Sequence, residues 1–254
     1  MKFFIINLEQ DIEKREKITK LCDSLGIDYE VIKAIYGKAL SEEEIKANTY
    51  PKEEQLKRFK RELSLGEIGC AMSHRYCYQR IIDDNLEEAI ILEDDAVFNE
   101  ELLEFLKFKD EFPKDLELLL IGHYKQMYYD DGFMINSLCY KKYSNIVNGK
   151  WDIKRLVGGG NGTHGYLITK NGASKLLKLM HKIYIPADWY TNNDKYTNMY
   201  ALFPTLINPD LAEFSSTQLN PINKKRSKIS KYFKLIKNKI QFFIPSLKKP
   251  KDYI

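Results

Sequence analysis

The sequence predicts an α/β fold built on a largely parallel sheet covered on both faces. Short apolar runs of strand length alternate with amphipathic stretches of helical period, which is the pattern of such sheets. At 254 residues the chain also suits one large domain that buries its core without disulfides or structural metal. KFFII at 2–6 opens as a buried strand. Ile12, Ile18, Leu21, Cys22 and Leu25 then recur at helical spacing, with Gly26 as the stop. DYEVIKAI at 28–35 is strand-like, and Tyr36-Gly37 turns it. Ser41 with Glu44, and Ser64 with Glu67, have the spacing of capping boxes. The second opens a helix that runs toward Asp84 on Ile68, Ala71, Met72, Ile81 and Ile82. LEEAIIL at 86–92 and LELLLIG at 116–122 read as buried strands around a helix at 99–109. GYLITK at 165–170 is a further strand, and Asn171 begins a helix carrying Leu176, Leu177, Leu179 and Met180.

Charge divides the chain. Residues 223–254 carry eleven Lys and Arg against Asp252 alone, a net +10, while the preceding 222 residues are at −6. The expected organisation is therefore a mildly acidic body, 1–222, and a strongly basic tail, 223–254. No apolar run approaches the roughly 20 residues of a membrane-spanning helix. The start, MKFFIINLEQD, lacks the apolar length and cleavage site of a secretory leader, which predicts a cytoplasmic chain. Cys22, Cys70, Cys77 and Cys139 form no CxxC or disulfide framework and read as reduced thiols. Cys70 and Cys77, seven apart on the predicted helix, are expected to pack in the core.

Chemistry concentrates in Ile90-Ile91-Leu92-Glu93-Asp94-Asp95, where three carboxylates follow directly on a buried strand. Ligands bind at the carboxyl ends of strands in open α/β sheets. Clustered carboxylates repel one another unless a cation compensates, and Mg²⁺ or Mn²⁺ bridges carboxylates to phosphates. An acidic turn, or a cap for the next helix, is the competing reading. Within GEIGCAMSHR (66–75), Ser73, His74 and Arg75 bring a hydroxyl, an imidazole and a guanidinium into one turn, which also fits a solvated helix face. GGGNGTHG (158–165) matches GxGxxG formally, but YLIT follows in place of a helix, so a dinucleotide site is not expected. His164 within it reads as a ligand or as a structural contact. Asp188, after a proline and between aromatic residues in IPADWY (185–190), is either a partly desolvated general base or a cap. HExxH and GxSxG are absent, which leaves serine and zinc hydrolases without support. Tyr124, Tyr128, Tyr129, Tyr140, Tyr143 and Trp151 make 123–157 a candidate binding segment.

INLEQDIEKREKI (5–18), AIYGKALSEEEI (34–45), LSLGEIGCAMSH (63–74), AIILEDDAVF (89–98), GTHGYLITKNGASKLL (162–177) and PADW (186–189) occur in that order. Taken together they resemble glycosyltransferase family 25, which includes lipopolysaccharide and lipooligosaccharide biosynthesis enzymes. The resemblance implies a GT-A fold, a UDP-hexose donor with galactose ahead of glucose, inversion to a β-linkage, and Mn²⁺ or Mg²⁺ on a DxD-like motif. Carried onto this chain, Glu93-Asp94-Asp95 is that motif, with Asp95 on the metal and Glu93 and Asp94 sharing metal, ribose or donor-sugar contacts, Glu93 being the second metal ligand. Asn7, Leu8 and Arg15 correspond to the stretch that meets the nucleotide. Ser73 and His74 correspond to the pair that approaches the donor sugar, and Asp188 becomes the first choice of base. The tyrosine-rich segment would flank the acceptor. GT-A enzymes often add a late metal-binding histidine, and none follows His181 here. Glu213 and Ser215–Ser216 are the polar groups available there.

In the tail, Ile229, Tyr232, Phe233, Ile236, Ile240, Phe243 and Ile244 repeat every three or four residues among lysines. A basic amphipathic helix at 227–244 suits an anionic membrane surface. Packing on the body is the alternative, and the acidic body argues against nucleic acid. Joined with the family resemblance, this tail implies a peripheral enzyme at the inner face of the bacterial inner membrane that extends a lipid-linked core oligosaccharide. The rival expectation is a non-catalytic membrane- or partner-binding protein that keeps the glycosyltransferase fold.

Overall fold

The structure is a computed structural model that describes residues 1–123, 145–156 and 162–210, and the backbone of 126–128 and 134–136. The basic tail, Glu213, Ser215–Ser216, Cys139 and most of the tyrosine-rich segment lie outside the described residues.

β1 (Lys2–Asn7) enters the centre of the molecule and α1 (Ile12–Ser24) returns along one face, held by buried Ile18 and Cys22. Gly26 ends that turn at φ +65°, a left-handed conformation that glycine adopts without steric penalty. β2 (Tyr29–Lys33) pairs parallel with β1. α2 (Glu42–Asn48) and α4 (Leu65–Asp83) both start in the predicted capping boxes. Between them α3 (Lys52–Phe59) is a short helix whose apolar positions are too few to declare it in sequence. β3 (Glu88–Glu93) also pairs parallel with β1 and is followed by β4 (Ala96–Val97), α5 (Glu100–Leu106) and β5 (Leu118–Leu120). A small hairpin pairs β6 (Gln126–Tyr128) with β7 (Met134–Asn136). β8 (Asn145–Val147) and β9 (Trp151–Arg155) come next, then β10 (Gly165–Thr169), α6 (Lys170–Leu179) and α7 (Ala187–Thr191). β11 (Met199–Phe203) and β12 (Asn208–Pro209) complete the described chain.

Eight strands form the main sheet in the order β2-β1-β3-β10-β5-β11-β9-β8. The sheet is mixed, which corrects the largely parallel expectation. β2, β1 and β3 run parallel, as do β5 and β11, but β10 is antiparallel to both β3 and β5, and β9 to β11. The reason is physical: GYLIT is buried on both faces, so its apolar run is the same whichever way the strand points.

Alternation along the strands divides the core. Phe4, Ile91, Leu118, Leu120, Tyr166 and Ile168 face one layer with Ile68, Met72 and Ile81 of α4 and Leu176 of α6. Phe3, Ile5, Ile90, Leu92, Leu119 and Leu167 face the other, with Ile18 of α1 and Leu102 and Phe105 of α5. The start of α4 lies hard against the turn after β2. A Cβ on Gly69 would meet Ile35 O at 2.3 Å, and one on Gly37 would meet Leu65 O at 1.7 Å. Those two glycines allow the first turns of α4 to approach the strand ends.

Candidate active site at the strand ends

β1 and β3 run parallel, so Asn7 and Glu93 finish at the same edge of the sheet. β10 runs the other way, and its approach, Thr163 and His164, begins there; Glu93 N donates to His164 O at 3.1 Å. The three acids therefore emerge into a crowded edge, and each turns to different neighbours.

Glu93 accepts from the Thr163 hydroxyl and lies 3.5 Å from His74 Nε2. Burial pushes its carboxyl up, but the His74 imidazole, the Thr163 hydroxyl and the charge of His164 outweigh burial and hold it below the ordinary value. Asp94 accepts from Asn7 Nδ2 at 2.8 Å, and Lys14 Nζ stands 4.0 Å away. Burial nonetheless leaves its carboxyl raised, with Asp11 and Glu93 adding to the effect. Asp95 has a backbone tie, its carbonyl accepting from Asp210 N at 2.8 Å, but its carboxylate Oδ1 is buried with no hydrogen-bond partner among the described residues. Burial, then the charges of Glu93 and Asp94, push Asp95 up to about 6.

Asn7 is buried and ties together the groups around the end of β1. Its Nδ2 also donates to Asp11 O at 3.0 Å, and its Oδ1 accepts from Arg15 at 3.3 Å. Arg15 donates in addition to Glu9 O at 3.1 Å, which folds the loop containing Leu8 over the end of β1.

Ser73 and His74 are both buried, so this turn of α4 is not a solvated face. Ser73 Oγ donates to Gly69 O at 2.7 Å and accepts from Ile35 N at 2.8 Å, which pins α4 to the turn after β2. Arg75 Nη1 donates to Met180 O at 3.1 Å and its other amine to Asn48, tying α4 to the ends of α6 and α2. His74 Nδ1 is 2.8 Å from the Tyr166 hydroxyl, itself 2.8 Å from that of Tyr78.

Asp188 sits in the first turn of α7, half-buried and within electrostatic reach of Glu93 and Glu67. Burial, then the charges of Glu93 and Glu67, push it up to about 6. Arg61 is the nearby cation, but its guanidinium grips Glu67 bidentately at 2.5 and 2.8 Å. Trp189, the next residue, is 54% exposed and meets Phe59 edge-on with ring centroids 4.9 Å apart. An exposed aromatic ring therefore adjoins a carboxylate of elevated pKa.

Cys70 corrects the core-packing expectation: Cys77 is buried, whereas solvent reaches Cys70. Although the residue has exposed surface, the protein packed around its sulfur, then the charges of Glu93, Asp188 and Glu67, raise its thiol well above the ordinary value. Sequence reasoning treated Glu67 as a cap and Cys70 as filler. Their spacing with His74, three and then four residues, places all three on one helix face, and that stripe was the missed signal. Thr163, Lys14 and Arg61 were also missed, because their pairing with distant acids has no local signature. Residues 158–161 of the glycine-rich stretch lie outside the described residues. His164 is close-packed, since a Cβ on Gly122 would stand 2.5 Å from its ring.

Residues 1–191 match glycosyltransferase family 25 (LPS biosynthesis protein), a stretch that holds every site residue named above except Asp210. The chain belongs to that family. A glycosyltransferase 25 family member of Aedes aegypti is 30% identical over 208 residues, 74% of this chain and 30% of that protein. Procollagen galactosyltransferase 2 of Homo sapiens is 26% identical over 185 residues, 69% of this chain and 27% of that protein. Procollagen galactosyltransferase 1-B of Xenopus laevis is 31% identical over 187 residues, 68% of this chain and 27% of that protein. The chain spans less than a third of the length of these relatives. Among solved structures, the inositol-1-phosphate CTP transferase from T. maritima overlays with a TM-score of 0.38 at 14% identity, covering 93% of this chain and 77% of that one, a distant likeness. Among the described residues no helix is long and apolar enough to cross a membrane.

Proposed function

We propose that this protein transfers a hexose from a UDP-sugar to a saccharide acceptor, with galactose first and glucose next, on a GT-A scaffold. The observation that carries the reading is Asp95: a carboxylate at a strand end, with a buried unpartnered oxygen and two acidic neighbours raising its pKa. Such a group is poised for a divalent cation, which removes the repulsion and fills the empty acceptor site. Oxygen-only donors favour Mn²⁺ or Mg²⁺, and Asp95 with Glu93 would hold the ion. Bound there, the cation offsets charge developing on the departing diphosphate. Family membership supports the same reaction class, and the names of the vertebrate relatives favour galactose.

The protein's own groups divide the remaining work. Asn7 and Arg15 shape the nucleotide corner and hold Asp94 toward it. Ser73 locks α4 in register, so that His74 faces Glu93. Asp188 takes the proton of the attacking acceptor hydroxyl. A carboxylate raised to about 6 is still ionised at neutral pH and is a stronger base than an ordinary aspartate. Attack from the Asp188 side, opposite the leaving group, inverts the anomeric centre to a β-linkage. Trp189, backed by Phe59, offers a flat surface to the apolar face of the acceptor ring. The family's description favours an acceptor within lipopolysaccharide or lipooligosaccharide core, and the basic sequence at 227–244 would hold the enzyme beside a lipid-linked one.

A panel of UDP-sugars with Mn²⁺, scored by UDP release, tests the reading. Release from UDP-galactose above all others is expected, and a panel without metal-dependent release from any UDP-hexose would overturn it.

A further inference from the structure

Beside the strand end lies a second donor set, which shares Glu93 and His74 with the site proposed for transfer and adds Cys70. Cys70 Sγ, His74 Nε2 and a Glu93 carboxylate oxygen all lie within 4.8 Å of one another. They come from two elements that the fold holds rigidly: successive turns of α4 and the end of β3.

His74 is fully buried, and its ring is fixed from the far side. Nδ1 reaches the Tyr166 hydroxyl at 2.8 Å, and Tyr166 meets the Tyr78 hydroxyl at 2.8 Å. When Nδ1–H donates to Tyr166, the lone pair of Nε2 points toward Glu93 and Cys70. The 3.5 Å between Nε2 and Glu93 is longer than a formed hydrogen bond, and Nε2 has no hydrogen-bond partner among the described residues. A buried imidazole whose other nitrogen is held by an outer hydrogen bond has the arrangement of a metal-ligating histidine. Thr163 plays the same outer part for Glu93. Cys70 has exposed surface, which gives an ion a route from solvent.

Sulfur, nitrogen and oxygen donors together suit a borderline cation of the Zn²⁺ or Co²⁺ type in tetrahedral geometry, in contrast to the all-oxygen preference of Mg²⁺ and Mn²⁺. We propose that Cys70, His74 and Glu93 form a binding site for zinc-class cations, whose donor set differs from the Asp95 and Glu93 pair proposed for the hard cation and shares Glu93 with it. The inference stands on this geometry and does not depend on the transfer reaction.

Cobalt(II) supplies the test, because a thiolate ligand produces a sulfur-to-cobalt charge-transfer band that oxygen ligands do not. Titrating the full chain with Co²⁺ is expected to raise this near-ultraviolet band to saturation at one equivalent, and Zn²⁺ is expected to abolish it. Asp95→Ala should keep the band and Cys70→Ser should lose it. Absence of the band in the wild type, or its persistence in Cys70→Ser, overturns the site. Alkylation supplies a readout that needs no variant. Zn²⁺ should slow iodoacetamide labelling of Cys70, mapped by peptide mass, at least tenfold, and unchanged labelling also overturns the proposal. UDP binding with Mn²⁺, measured on the same preparation, reports separately on the transferase reading.

Discussion

Replacing Asp95 by asparagine separates two consequences of its carboxylate. Burial and the charges of Glu93 and Asp94 raise its pKa from an ordinary 3.8 to about 6. Between those two values the folded protein binds more protons at this site than the unfolded chain, so stability falls as pH rises through that window. The loss is complete above about 6. A hundredfold change in proton affinity corresponds to about 3 kcal/mol at 1.36 kcal/mol per tenfold. Asp95 is partly exposed, so solvent screens part of this and leaves about 1–2 kcal/mol. Asparagine keeps the shape and removes the charge, so the variant should melt about 2–8 °C above the wild type at pH 7.5, at roughly 2–4 °C per kcal/mol for a protein of this size. The gap should close toward pH 4.5, where the wild-type aspartate is protonated. Scanning calorimetry in chelator-treated buffer makes the comparison. Adding UDP with Mn²⁺ should then raise the wild-type transition and leave the variant unmoved. An Asp95→Asn protein that melts below the wild type at both pH values would refute the electrostatic reasoning.

Asp188→Asn should retain UDP binding and lose at least a hundredfold in transfer rate, measured by product formation at saturating donor; a collapse in UDP affinity would move this residue to the donor side. The wild-type rate should fall as pH drops through about 6, where Asp188 takes up its proton, and a rate that is flat down to pH 5 would exclude it as the base. Trp189→Ala is expected to raise the acceptor KM about tenfold while donor hydrolysis stays unchanged, with Trp189→Tyr restoring much of the affinity. Gly122→Ala would force a Cβ to within 2.5 Å of the His164 ring and 2.7 Å of Ile207 O, so the melting transition should drop by the equivalent of about 1–3 kcal/mol.

Local chemistry made part of this legible in advance. The capping boxes at Ser41 and Ser64 need only neighbouring residues, and both form as expected. The apolar run before Glu93 placed the acids at a strand end for the same reason. What sequence could not declare was set at long range. β10 inserts antiparallel between β3 and β5 because hydrogen-bonding partners some fifty to eighty residues upstream select its direction, and nothing in GYLIT encodes it. The separate surroundings of Glu93 and Asp94 come from Thr163 and Asn7, residues distant in sequence. Cys70 was misplaced because helical spacing alone shows which residues share a face and not whether that face meets core or cleft. β9 and β11, the strands that extend the sheet beyond β5, were also unforeseen, since they follow segments without clear periodicity.

The central claim is that Asp95 and its neighbours serve a cation-bound sugar nucleotide, and calorimetric titration of UDP reads it most directly. With Mn²⁺ present the wild type should bind UDP at least tenfold more tightly than in chelator, and Asp95→Ala should abolish that dependence. Equal UDP affinity with and without the metal, or an Asp95→Ala protein that still shows the full difference, would contradict the account.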